Sequence, residues 1–514
     1  MGLLGAPRQA ASPATVPTDT VIPFHFYDDT KNTRGICFDV TFRFDDVLDP
    51  KRLRGALSRL LELGNWRKLG ARIRRNGRGG LEYHVPRYFD DERPGFAFSV
   101  ATFESRIDEH PQASRFIRPL DLDSNGLPLT FAIPSVSTGF KSFCRTPGFP
   151  DRLHDWLHSD SGQLGIHVML FQDATLVTVS FLHSLTDMMG LKAILTAWTA
   201  VLCGREDLVE PFVGFSEDPL AGLGKRKNDC KPKYVFSDML ITGWSWILFL
   251  LRYYFSIEML WKRREEDRIV FLPARRVQRM RQQAMDELAV AETSNADRSV
   301  FISEGDVVFA WWARLVLRAQ ALPPDRTVHM RNTCCCRSLL KELGLLPPGS
   351  SALVSNAVFG ALTFLSVRQV QEKPLAFTAH EIRKALIEQR TAEQFEALDA
   401  IRRDSLANAG HPAVFGRPDM YMLMISSWAK ARLFELDFSA AVLRRGETSA
   451  ERKNPLGRPS CIQGRSTRDF ATRNTGVVIG KDAGGNYWLS YTLQKEAWRA
   501  VEQQFLSMPD EEAF

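Results

Sequence analysis

The stretch "LVTVSFLHSLTDMMGLKAILTAW" contains the two side chains whose types and spacing best suit chemistry, His183 and Asp187. A neutral imidazole, with an unperturbed pKa near about 6.5, can take a proton from a weak nucleophile at cellular pH. Ser184-Leu185-Thr186-Asp187 also fits a capping box, in which both side chains satisfy free backbone N–H groups at a helix start. A single histidine at the rim of an apolar face is more often a satisfied structural residue than a catalyst. His167, on the preceding run, is read as structural.

The elements around these residues can be read from periodicity. "LGIHVMLFQDATLVTVSFLHS" reads as two strands joined at Gln172-Asp173-Ala174. Side chains alternate along a strand, so Val177, Val179, Phe181 and His183 share one face. Met188, Leu191, Ile194, Leu195, Trp198, Val201 and Leu202 then recur at helical spacing, so the chain must turn sharply between 184 and 187. Strand-to-helix turns of this kind often carry function. Elsewhere, "LDPKRLRGALSRLLEL" predicts a helix after Asp49-Pro50, with Leu53, Leu57, Leu60 and Leu61 on its inner face. Ser303 is the expected N-cap of a second helix that buries Val307, Ala310, Trp311 and Leu315. Strand-like runs resume at "TVHMRN", "AVFGALTFLSV", "YMLMISSW", "TGVVIG" and "YWLSYTL". Both halves therefore mix strands with helices.

A chain of 514 residues with 44% apolar side chains suits two globular domains. Its formal charge of +6, from 66 basic and 60 acidic residues with no dense Lys/Arg block, argues against nucleic acid as a partner. A modest basic excess still suits a ligand that carries phosphates. The eight cysteines form no C-x-x-C pair, and the Cys334-Cys335-Cys336 run fits no zinc spacing. Reduced thiols, a cytoplasmic location and no metal are expected. The opening "MGLLGAPRQAASPATVPTDT" lacks the basic and apolar regions of a secretory signal.

A second stretch, "ISSWAKARLFELDFSAA", lies far from the first. With H-x-x-x-D at 183–187 and Asp437-Phe438, the chain resembles the BAHD acyltransferases, which carry H-x-x-x-D-G mid-chain and D-F-G-W-G nearer the C-terminus. "LPPDRTVHMRNTCCCRSLL" resembles the family's strand before a domain-centre arginine, here Arg337, and "LVSNAVFGALTFLSV" its Gly-Asn-Ala segment. The N-terminal "LDPKRLRGALSRLLELGNWRKLGARIRR" is similar to fungal members that decorate secondary metabolites. Two departures stand out. Met188 replaces the expected glycine, with Gly190 two places on, and Ser439-Ala440-Ala441 replaces Gly-Trp-Gly.

The resemblance implies a mixed α/β fold of two chloramphenicol-acetyltransferase-like domains with an active-site channel between them. It implies a monomer that transfers an acyl group, expected to be acetyl, from acyl-coenzyme A to a hydroxyl of an apolar terpenoid, meroterpenoid or polyketide. His183 would be the general base. Asp187 and Ser184 would hold the catalytic turn, while Asp437, Phe438 and Arg337 form a structural set in which Asp437 pairs with Arg337. Ser439 is the candidate oxyanion donor. An N-acyltransferase and a non-enzymatic membrane-peripheral module are the alternatives.

The expected domain boundaries are a disordered lead-in at 1–18, an N-terminal acyltransferase domain at 19–222, a crossover linker at 223–268 and a C-terminal domain at 269–514. Within the linker, "AGLGKRKNDCKPKYVF" reads as exposed surface chain. The apolar run from Met239 to Leu251 is too short to span a bilayer, which takes about 20 residues, and Arg252 interrupts it. A buried helix is expected there, with contact to a membrane surface as the second reading.

Overall fold

A computed structural model describes residues 12–507 except 119–128, 133–137, 226–232, 255–264, 293–300 and the single positions 447, 449, 451 and 471. Residues 1–11 of the expected lead-in, and two stretches of the expected linker, therefore lie outside the described residues.

Two large sheets dominate. The first has five strands in the order Cys461–Arg468, Ile36–Phe44, Thr175–Leu182, Leu164–Leu170, Ala97–Thr102. The second has seven, in the order Val358–Ser366, Thr327–Cys335, Tyr421–Ser427, Thr475–Lys481, Tyr487–Gln494, Glu265–Leu272, Leu129–Ala132. All five strand-like runs read in the C-terminal half lie in this second sheet.

Each sheet also takes a strand from the other half of the sequence. Cys461–Arg468 pairs antiparallel with Ile36–Phe44 along its full length, and Leu129–Ala132 pairs with Glu265–Leu272. The two halves are thus tied by backbone hydrogen bonds as well as by side-chain packing.

The helices form where the apolar spacing places them. Pro50–Glu62 is capped by Asp49, whose carboxylate accepts from the N–H of Lys51 at 2.8 Å, and its four leucines are buried. Glu304–Gln320 begins at Ser303, which forms a reciprocal capping box with Asp306. Met188–Leu202 buries Leu191, Ile194, Leu195 and Trp198 against the first sheet. Val177, Val179 and Phe181 are in the same core, each 1% exposed, so the face leading to His183 is packing rather than ligand pocket.

The structure corrects the linker reading in two places. Leu223 and Tyr234 are buried, and the Tyr234 hydroxyl donates to Gln389 Oε1 at 3.1 Å, because a large ring with a polar tip gains by burial once its hydroxyl finds a partner. The apolar run forms a helix, Gly243–Tyr254, that is covered on one face only.

Candidate active site

His183 stands at the end of its strand, where its N–H still donates to Ile36 O at 2.8 Å. The next residues leave the sheet and the ring folds back over them, bringing Nδ1 to 2.9 Å from Thr186 O. A carbonyl oxygen only accepts, so Nδ1 carries the proton and Nε2 keeps its lone pair. The ring is half-buried, and burial holds its pKa below the ordinary 6.5, opposed by the Thr186 carbonyl and by the negative charge of Asp187. His183 is therefore neutral at cellular pH, with its basic nitrogen fixed by the turn.

Four partners hold that turn. Asn356 Nδ2 donates to His183 O at 2.9 Å and to the buried Asp28 Oδ1 at 2.8 Å. Tyr83 Oη donates to Ser184 O at 3.0 Å, and Thr186 Oγ1 to Val354 O at 2.8 Å. The fourth is the Asp187 carboxylate, which caps the following helix by accepting from Gly190 N–H at 2.8 Å. No capping box forms with Ser184. Asp187 is itself the cap, and the Ser184 hydroxyl is buried without a hydrogen-bond partner.

Gly190 takes over a role that the sequence pattern assigned to position 188. A Cβ there would lie 2.1 Å from both Thr186 Oγ1 and Val354 O, so only glycine lets the helix start approach the Val354 strand end this closely.

The remaining capacity of Asp187 goes to the second half of the chain. Arg337 donates from Nη1 to Asp187 Oδ2 at 3.0 Å and reaches Oδ1 from Nη2 at 2.9 Å, while Ala357 N–H donates to Oδ2 at 2.8 Å. The same guanidinium donates to Leu353 O and Ser355 O. Asp187 is thus fully engaged in structure, which fits a residue that orients the histidine from behind. The expected Arg337–Asp437 pair is not formed, because this bidentate carboxylate claims the guanidinium instead.

Asp437 serves a local purpose, accepting from Ser439 N–H at 2.9 Å. Phe438 packs edge-on against Phe44 and Trp198, each with ring centroids 5.3 Å apart. Phe44 pairs with Thr175, at the opposite end of the strand from Leu182. Seven residues of strand span about 23 Å, so Ser439 stands roughly that far from His183. It cannot be the oxyanion donor, and Asp437-Phe438 instead plugs the far end of the first domain.

Two residues that the sequence did not single out stand at the histidine. Phe38 lies edge-on to His183, with centroids 5.1 Å apart, and edge-on to Trp428 at 6.3 Å. Trp428 follows the second sheet's strand Tyr421–Ser427, and its ring lies over Gly464 of the first sheet. The pair forms an aromatic wall beside the base where the two domains meet. Trp428 lies inside the quoted "ISSWAKARLFELDFSAA", but nothing in one sequence marks it as facing His183.

The profile of the transferase family matches residues 163–442. The acetyltransferase sphE of Aspergillus fumigatus is 61% identical over 514 residues, covering 100% of both chains. The acetyltransferase adrJ of Penicillium rubens is 39% identical over 98% of this chain and 99% of its own. Among solved structures, F. sporotrichioides TRI101, complexed with coenzyme A and T-2, superposes with a TM-score of 0.63 at 16% identity, covering 96% of this chain and 98% of that one. A turn that holds His183 as a neutral imidazole, built on this two-domain fold and matched along its whole length by such relatives, places the chain in the BAHD family of acyl-coenzyme-A-dependent acyltransferases.

Proposed function

We propose that this enzyme acetylates a hydroxyl of an apolar secondary metabolite of the terpenoid, meroterpenoid or polyketide class, with acetyl-coenzyme A as donor and His183 as general base. The observation that carries the assignment of the base is the hydrogen bond from His183 Nδ1 to Thr186 O, which leaves Nε2 free to accept a proton. The preference for acetyl and for such an acceptor rests on relatives that are acetyltransferases and O-acyltransferases, and on the structural neighbour's complex with coenzyme A and T-2.

In this reaction the acceptor oxygen attacks the thioester carbonyl as Nε2 takes the hydroxyl proton. The C–O bond forms, the C–S bond of the collapsing tetrahedral adduct breaks, and the imidazolium returns the proton to the leaving thiolate. No covalent acyl-enzyme is required. The Phe38–Trp428 wall suits an apolar acceptor.

The test pairs labelled acetyl-coenzyme A with candidate hydroxylated acceptors and follows free thiol and product mass. A product one acetyl heavier, cleaved by mild base, supports O-acetylation. A base-resistant amide would move the enzyme to amine acceptors, and a protein-bound acetyl that chases into product would overturn direct transfer.

A further inference from the structure

The helix Gly243–Tyr254 is apolar except at Ser245 and Arg252, yet only one side of it is covered. Trp246, Phe249, Leu250 and Tyr253 face inward. Phe249 is 4% exposed and packs with Ile241 and Met420, while Trp246 stacks on His411 with centroids 3.8 Å apart. On the outer side, Trp244 is 84% exposed, Leu251 52%, and Ile247 and Leu248 45% each. These four stand at i, i+3, i+4 and i+7, a continuous stripe along one helix face.

An exposed apolar stripe of this size, led by a tryptophan, calls for an apolar phase outside the protein. Twelve residues of helix span only about 18 Å, too short for a bilayer core of about 30 Å, and no helix among the described residues is long and apolar enough to cross a membrane. These twelve residues can therefore lie on a membrane but are too few to pass through one.

Charge identifies the kind of surface. The exposed Arg252 follows the stripe directly, and a cleft beside Tyr253 that Met420 and Tyr421 also line contains Arg252, Arg326 and Arg473. Arg326, anchored on Asp419 O, stands beside Arg252, whereas Arg473 is buried and paired with Glu265, so the cations at the rim of the apolar face are Arg252 and Arg326. An amphipathic face bordered by cations is what anionic lipid headgroups attract.

We infer that the enzyme docks peripherally on anionic membrane surfaces through Trp244, Ile247, Leu248 and Leu251, with Arg252 and Arg326 at the headgroups. This requires nothing of the transfer reaction. It adds to the acyltransferase a place of work where apolar molecules collect.

Co-sedimentation of the full chain with vesicles of phosphatidylcholine, alone or with roughly a third phosphatidylserine, tests it. The chain should pellet with the anionic vesicles, less so as salt rises past about 0.15 M. The double substitution Trp244→Glu with Leu248→Glu should weaken binding on the order of tenfold, with an unchanged melting temperature and unchanged thiol release in vesicle-free buffer. Equal pelleting of the double variant, equal binding to neutral vesicles, or no pelleting at all would overturn the inference. So would a concentration-dependent dimer that the same substitutions dissolve, since a second copy would then cover the face, or a lowered melting temperature, since the stripe would then be packed internally.

Discussion

Asp187 and Arg337, 150 positions apart, form a bidentate ion pair that joins the catalytic turn of the first domain to the second, with the carboxylate 4% exposed and the guanidinium 16%. The pair orders the turn without touching the basic nitrogen of His183. Apart from a contact of Arg337 Nη1 with Cys335 Sγ at 3.4 Å, its other partners are backbone groups, so no second carboxylate or guanidinium takes the place of either charge.

Removing one partner leaves the other buried and uncompensated, which typically costs about 3–5 kcal/mol. Arg337→Ala and Asp187→Ala should each lower the denaturation midpoint by that measure and reduce activity with it. Asp437→Ala, which gives up only a local bond to Ser439 N–H, should cost about 1 kcal/mol. Chemical denaturation of the three variants checks the order, and an Asp437→Ala loss as large as that of Asp187→Ala would return Asp437 to the clamp.

His183→Ala should remain folded while its rate falls by a factor on the order of 100 to 10,000. As the proposed base, His183 acts as the neutral imidazole, whose folded pKa lies below 6.5. Activity should therefore hold as pH falls through 6.5 and decline only below it. A pH profile of kcat/KM measures this, and an acid limb above 6.5 would contradict the burial effect.

Gly190→Ala should destabilise the protein by about 1–3 kcal/mol through overpacking, because the new Cβ meets Thr186 Oγ1 and Val354 O at 2.1 Å. Met188→Gly, at the position where the motif normally has its glycine, should not rescue it. Melting temperatures of the single and double variants decide the point.

Trp428→Ala should enlarge the space beside His183 and shift acceptor preference toward bulkier alcohols, with KM for the acceptor changing more than KM for the acyl donor. The ring is 6% exposed, so a loss of about 3–5 kcal/mol is expected alongside. Trp428→Phe, which keeps the aromatic contact with Phe38, separates the two effects. Unchanged acceptor kinetics in both variants would remove Trp428 from the channel wall.

Local patterns were enough to place the elements around His183, because period-2 and period-3.6 burial are written in neighbouring residues. The hairpin at 172–174, the turn at 184–187, the Asp49 and Ser303 caps and the strands of the second half all stand where that periodicity puts them. Identifying His183 as the candidate base likewise needed only its place at a strand end and the ordered motifs. What each charged motif residue touches was decided by tertiary structure. Arg337 could reach either aspartate as far as the sequence goes, and the sheet pairing, not the motif, put it beside Asp187. Ser439 is ruled out by a strand's length, since Phe44 and Leu182 lie at opposite ends of the same pair of strands. Phe38 and Trp428 meet only because a C-terminal strand completes an N-terminal sheet. Composition showed the helix Gly243–Tyr254 to be apolar, but which of its stripes faces outward depends on where Met420 and His411 come to rest against it.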